Sequence, residues 1–269
     1  MTGLLKQVSN AIRRISKLKK SMGFIKQYWS TALIVVLLVL LYKFISDNRI
    51  YSATVFPSID KVAANYQTDI LEMLSNIGSS FSLVLPSLAW TLVIAIGLGV
   101  LMGRSKFART SLYPIVYAMS CVPSILLTPF LLLLCPNYRV AAIIIIVYGI
   151  IWSTLFSTIT GMEAIDPRYM DNAKTLNLKG FKLLFHVMLP AAAPAIIGGF
   201  INSLRASFVM LVFGEMYGTN TGLGYYVKYS ANHGMYDRMW AGLVFMVLVV
   251  LVVMQLFTKL KERMLRWTD

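Results

Sequence analysis

An all-α integral membrane protein with six transmembrane helices is the fold class this sequence predicts, and three observations predict it. Of its 269 residues, 58% are hydrophobic and only 13% charged, against roughly 45–50% and 25% in soluble domains. Six segments are apolar over about the 20 residues a helix needs to cross a hydrocarbon layer roughly 30 Å thick. Lys and Arg, the source of a net charge of +14, fall mainly on one side of those segments, as they do in proteins oriented by the positive-inside rule.

Residues 1–28 come first. Leu4, Val8, Ile12 and Ile15 recur at helical spacing among Lys6, Arg13, Arg14, Lys17, Lys19 and Lys20, the pattern of a basic interfacial helix on an anionic membrane surface. No short apolar core with a small-residue cleavage site follows, so the segment reads as part of the mature chain and not as a removed signal peptide. The spans are placed at 29–47, 80–102, 112–135, 140–161, 190–217 and 238–258. Between the first two, apolar residues from Ile59 to Leu74 recur at helical spacing in a more polar stretch, which predicts an amphipathic helix in the interface. Residues 29–269 then form one transmembrane domain with a core at 75–258.

With the N-terminus inside, eighteen basic residues are cytoplasmic: seven before residue 28, then Arg104, Lys106, Arg109, Arg168, Lys174, Lys179, Lys182, Lys259, Lys261, Arg263 and Arg266. Six lie opposite, Lys43, Arg49, Lys61, Arg139, Lys228 and Arg238, and Arg205 is within a span. Both termini are therefore expected in the cytoplasm. Topology accounts for the net charge, and no nucleic-acid partner is implied. Cys121 and Cys135 form no CxxC pair and no cluster with histidine, so they read as packing residues and no metal is expected. His186 and His233 lack a partner pattern and read as solvated or packed.

The cytoplasmic segment 162–189 is longer than a connection requires. Asp166-Pro167 is an N-cap followed by proline at the first helical position, and RYMDNAKTL continues the helix. Asn177 suits the left-handed position that ends it. A second helix is expected with Phe181, Leu184, Phe185 and Met188 on one face, and Pro190 opens span five. The pattern is a helix, a sharp turn and a helix continuous with a membrane span: a lever.

On these residues the chain resembles the permease subunits of binding-protein-dependent ABC importers. Their cytoplasmic EAA motif runs Glu-Ala-Ala, three residues, Gly, nine residues, then Ile, any residue, Leu-Pro. Here Asp171, Asn172 and Ala173 stand at the first three positions, Asn177 at the glycine, Val187 at the isoleucine and Leu189-Pro190 at the end. Asp171, Asn172 and Asn177 are substitutions. FPSIDKVAANYQ, GLGVLMGRSKFARTSLYP, STITGMEAIDPRYMDNA and GEMYGTNTGLGYYV resemble, in order, four further segments of the nitrate/sulfonate/taurine-type permeases. LTPFLLLLCPNYR lacks their Trp-Phe-Gly.

The resemblance implies a type I importer fold in a bacterial-type cytoplasmic membrane. Two permease copies, as a homodimer, form the pathway, and an extracytoplasmic binding protein delivers a small solute. ABC ATPase subunits dock on a coupling segment comprising Asp171, Asn172, Ala173, Leu176, Asn177, Leu189 and Pro190. The chain has no GxxxxGK[ST], so ATP and Mg are expected on those partner subunits and none on this chain, which is not an enzyme. Gly97, Gly99 and Gly103 lie inside a span, where Gly99 and Gly103 serve close helix packing.

Arg205 and Glu215 are the pathway or gate candidates. Arg205 admits an anion-attracting role, but a structural pairing with helix-end carbonyls or Asn202 is preferred, because charge at that depth is costly without a partner. Glu215 fits an external gate or a docking surface for the binding protein. Tyr225 and Tyr226 sit where an interfacial aromatic belt is expected. The competing reading is a stand-alone ion-coupled transporter or channel. It needs several intramembrane carboxylates, whereas Glu215 is almost alone, and it leaves the lever unexplained.

Overall fold

The computed structural model describes residues 29–31 and 33–264; the expected basic helix over 1–28, together with Arg266, lies outside them. The described residues are helical with no strand. The chain divides into two compact units, Met1–Val62 and Ala63–Asp269.

In the first unit α1 (Trp29–Asp47) presents Leu33 to Leu41 with half or more of each side chain exposed, as a helix facing acyl chains does. It ends in a Schellman motif. Arg49 takes a positive φ of 51°, and the amides of Arg49 and Ile50 donate back to Ser46 and Ile45 at 3.2 Å each, which satisfies carbonyls the helix end leaves free. The following loop folds onto the helix end, Tyr42 donating to the Pro57 carbonyl at 2.8 Å.

The expected interfacial helix and the second span are one element, α2 (Ile59–Arg104), 46 residues long and in the second unit from Ala63 onward. Ser75 to Ser79 contain no proline, and Asn76 and Ser80 turn their side chains to distant partners instead of competing for their own backbone. Nothing breaks the helix there, and at 1.5 Å per residue it runs about 70 Å.

The third expected span, 112–135, is not straight. Helix α3 (Lys106–Ser120) and the run Ser124–Leu134 meet at 86°. Pro123 has no N–H to donate and disfavours helical geometry at Val122, so the chain turns at Cys121 to Pro123 and resumes as a short 3₁₀ turn and α4 (Thr128–Leu134). The Met119 carbonyl at the bend accepts from the Val122 amide at 3.1 Å and the Tyr148 hydroxyl at 2.6 Å. Among the described residues five helices are long and apolar enough to cross a membrane, and counting this bent pair as one broken span gives six.

The remaining elements are α5 (Tyr138–Glu163), α6 (Pro167–Thr175), α7 (Gly180–Leu183), α8 (Leu189–Gly218), α9 (Leu223–Asn232) and α10 (Tyr236–Met264). Helices in lipid gain little from mutual hydrophobicity and associate by close packing and hydrogen bonds, and α5 with α8 follows this rule. A Cβ on Gly199 would lie 2.7 Å from the Ser153 carbonyl, and one on Gly161 would lie 2.8 Å from the Ala195 Cβ. Buried Ser203 sits 2.8 Å from Thr154 Oγ1 and donates to the Ile150 carbonyl at 2.5 Å. The same device joins α2 to α5: a Cβ on Gly99 or Gly103 would come within 2.5 Å of Thr158 or Met162, which is the expected role of that pair. Leu83, Val84, Ile146, Ile150, Leu204 and Phe208 fill the core among these helices.

Candidate functional site

The segment between α5 and α8 is built as a rigid turn. Asp166 accepts from the Arg168 amide at 2.9 Å, and Pro167 follows at the first helical position. Helix α6 ends in a second Schellman motif: Asn177 has φ 52°, its amide donates to Lys174 and the Leu178 amide to Ala173, both at 2.9 Å. The left-handed position expected at Asn177 is therefore occupied. Gly180, φ 58°, completes a turn with two left-handed residues in four.

The second helix differs from expectation. After α7 the chain widens into a π turn over Leu184–Met188, where the Leu189 amide reaches back to Leu184. Pro190 explains the widening, since its ring opposes a tight helix at the carbonyl four residues earlier and it offers no N–H. Phe181, Leu184, Phe185 and Met188 consequently do not share a face. Phe181 and Phe185 stack outward with centroids 6.5 Å apart, whereas Met188 is buried with Met162, Ala192 and Ile196, and Leu184 packs against that cluster.

Among the motif residues, Asp171, Asn172, Leu176 and Asn177 are exposed, as is Pro190, and Leu189 is half-buried. Ala173 is 2% exposed; its side chain faces the body of the protein, so a small residue there serves the seating of α6. Asp171 is held by Lys174 at 2.9 Å. The outward face is Tyr169, Leu176, Phe181 and Phe185, flanked by Arg168, Lys179 and Lys182. Arg109 and Glu163 form an ion pair joining the start of α3 to the end of α5 beside this segment.

Glu215, a gate candidate by sequence, is fully buried near the other end of α8. It accepts from the Gly224 amide at 2.6 Å, in the first turn of α9, where a carboxylate complements unsatisfied amides and the helix dipole. Gly222, φ 113°, donates to Asn76 Oδ1 at 2.9 Å, and the Leu223 amide to Ser80 Oγ at 3.1 Å. A Cβ at Gly222 would collide with the Glu215 carboxyl. Glu215 thus ties α8, α9 and α2 together and presents no free surface. Glu215→Ala strands the Gly224 amide in a buried site, a loss of about 1–3 kcal/mol, while Glu215→Gln keeps an acceptor. Thermal unfolding in detergent should show a clear drop for the alanine variant and a smaller one for glutamine; equal drops would refute the capping role.

Two groups at this end were not legible. Tyr226, assigned by sequence to an aromatic belt, is 3% exposed and donates to Asp69 at 2.9 Å; burial pushes its phenol well above the usual value. Arg238 bridges Asp69 at 2.6 Å and Glu72 at 2.8 Å. The network joins residues about 170 positions apart, and only the spacing of Asp69 and Glu72 on one helix hinted at it. Tyr225 is half-buried and packs on Tyr229. The expected pairing of Arg205 is not made: Arg205 and Asn202 are both exposed, and Arg205 has no hydrogen bond or ion pair among the described residues.

Residues 95–266 match the family model described as the binding-protein-dependent transport system inner membrane component. The chain is 26% identical over 258 residues to the putative aliphatic sulfonates transport permease protein SsuC of Bacillus subtilis (strain 168), covering 93% of this chain and 92% of that one. It is also 26% identical over 161 residues to the nitrate import permease protein NrtB of Synechocystis sp., over 60% of this chain and 58% of that one. Among solved structures, the fold is similar to an inward-facing conformation of the MetNI methionine ABC transporter, with a TM-score of 0.62 at 19% identity, covering 75% of this chain and 98% of that chain.

Proposed function

Because the chain belongs to the binding-protein-dependent transport system inner membrane component family, and is thus the permease subunit of an ABC importer, we propose that residues 167–188 couple it to separate ATPase subunits. One observation carries the reading: a rigidly capped helix, exposed along Asp171, Asn172 and Leu176, runs through a fixed turn and a π turn into α8 without a break. Displacement of α6 by a docked ATPase is then displacement of α8. Asp171, Asn172, Leu176 and the Phe181–Phe185 pair offer the contact surface; Ala173 seats α6 on the body, Asn177 holds the corner, and Leu189 and Pro190 set the π turn. ATP and Mg belong to the partner. Two copies of this chain enclose the pathway, and an extracytoplasmic binding protein delivers the solute.

Both termini and the coupling segment are on the cytoplasmic side in this reading, motivated by the basic bias of eighteen to six. An impermeant thiol reagent should modify Ser58→Cys and Asn220→Cys on intact cells and Ser105→Cys only after permeabilisation, in a background lacking Cys121 and Cys135. Labelling of position 105 in intact cells would overturn the orientation. The chain should also co-purify with an ABC ATPase from native membranes. Ion-driven uptake into proteoliposomes containing this chain alone would favour the stand-alone transporter instead.

A further inference from the structure

No residue of α3 is buried, and few side chains hold it to the protein. Leu112 and Val116 pack on the cluster of Ala95, Ile151 and Leu155, the Met119 carbonyl accepts from Tyr148, and Arg109 pairs with Glu163. Between α3 and the end of α5 lies a groove of about 460 Å³, within the size range of small-ligand sites. Its walls change character along their length: Arg109 and Glu163 stand at the polar end, and Tyr113, Pro114, Phe156 and Ile159 make the apolar part. Helical spacing extends the same gradient along α3, where Lys106, Thr110, Tyr113 and Tyr117 share a face at steps of four, three and four. The Tyr113 ring lies 6.3 Å from Tyr117 and 5.9 Å from Phe156. From Lys106 to Tyr117 the rise is about 16 Å, about half of a hydrocarbon layer roughly 30 Å thick. The stripe therefore passes from charge to aromatic ring over the depth of one leaflet.

Charge at the polar end is left over. Arg109 is cancelled by Glu163, and the hydroxyls of Thr110 and Thr160 donate to carbonyls of their own helices at 3.0 Å each. Arg104 and Lys106, on either side of Ser105, are exposed, and neither side chain has a hydrogen bond or ion pair among the described residues. A Cβ on Gly103 would come within 2.5 Å of Met162, which places both cations beside the end of α5 at Glu163. The complement of this groove is a molecule with an anionic head and a long apolar body, held at the membrane boundary with its head outward. A soluble anion leaves the aromatic wall unused, and a neutral apolar molecule leaves the two cations unused. Basic pockets between membrane helices at the surface are where anionic lipid head groups bind.

We propose that this groove is a binding site for one anionic phospholipid, its phosphate on Arg104 and Lys106 and an acyl chain laid past Tyr113 and Phe156. Such a lipid supplies α3 with packing that the chain itself does not, and fastens it to α5 beside the start of residues 164–188. Only the placement of α3 and α5 in a bilayer is required, and either orientation of the chain satisfies it, so its failure leaves the permease reading untouched.

The test takes the full chain in the complex it forms in native membranes, delipidated in a nonionic detergent, and titrates it with dioctanoylphosphatidylglycerol under native mass spectrometry. A saturable site is expected. The double variant Arg104→Gln, Lys106→Gln should weaken it by about twentyfold, since each basic residue near an anionic surface is worth about fivefold. Thr160→Trp, which fills the groove from its exposed rim and leaves both cations, should weaken it by about tenfold or more. Dioctanoylphosphatidylcholine, with the same chains and no net charge, should bind about twentyfold more weakly, and glycerol phosphate, with the charge and no chains, should not compete. The double variant changes only exposed side chains, so its result decides the matter even where the tryptophan variant fails to assemble. Undiminished binding in the double variant or in assembled Thr160→Trp, equal affinity for phosphatidylcholine, or no saturable site at all would each overturn the proposal. Competition by glycerol phosphate would make this a site for soluble anions, and separation of two copies of the chain by Thr160→Trp without any lipid site would assign the groove to a second copy; either result overturns it likewise.

Discussion

Asn177→Pro should insert into the membrane like the natural chain, yet solute-stimulated ATP hydrolysis by the reconstituted complex should fall by about tenfold or more, because proline opposes the local geometry in three ways at once. Its ring fixes φ near −65° where the structure requires 52°. It removes the amide that donates to Lys174 at 2.9 Å. It also disfavours the near-helical geometry of Leu176. No apolar span is altered, so insertion is spared while the corner between α6 and α7 is lost. Asn177→Gly is the opposing control: a left-handed residue other than glycine is strained by roughly 1 kcal/mol, and glycine relieves it, so coupling should be preserved or improved. Leu176→Asp, which keeps the corner and changes only the exposed face, should release the ATPase without disturbing α6. Normal transport by Asn177→Pro would remove the mechanical account of this segment.

Gly199→Leu should abolish recovery of folded protein altogether. A Cβ there would meet the Ser153 carbonyl at 2.7 Å and Ser157 Oγ at 2.5 Å, and the first of these is backbone that no rotamer change can move. Overpacking of this kind costs about 1–3 kcal/mol even where side chains can yield, and here it also separates Ser203 from Thr154 and Ile150, which leaves buried polar groups without partners. The neighbouring Gly198→Leu is the control, because its Cβ meets nothing within 4 Å, and a helix interior gains from replacing glycine. Size-exclusion profiles of the two variants should differ completely. Equal yields would show that α5 and α8 are not held together at Gly199.

Features set by local chemistry were legible in the sequence: apolar lengths, the Gly99–Gly103 pair, the proline-led start of α6 and the left-handed Asn177. Features set by geometry over longer distances were not. Hydropathy summed over 112–135 is blind to direction, so a bend of 86° reads as one span even though Pro123 is in plain view. Helical spacing assigned Phe181 and Met188 to one face on the assumption of 3.6 residues per turn, and a π turn voids that assumption. Ala173 reads as a docking position in the motif, but which way an alanine points depends on how α6 lies on the body. Burial of Tyr226, and of the start of α9 that seals Glu215, depends on partners in α2, 157 and 146 positions away.

The length of α2 bears on how fast and how faithfully one side of the membrane informs the other. Its N-terminal portion is clamped through Asp69, Glu72 and Tyr66 to the start of α10 and to α9, and its C-terminal portion is wedged by Gly99 and Gly103 against α5, the helix that leads into residues 164–188. A hydrogen-bonded rod resists flexure far better than two helices joined by a loop, and no hinge interrupts it at 75–79. A displacement at the end near Asp69 is then carried to the end near Gly103 through one continuous helix, whose internal proline is Pro86. Amide hydrogen exchange along α2 should accordingly be slow and even through Ser75 to Ser80, with no fast-exchanging notch between the part clamped to α9 and α10 and the part wedged against α5.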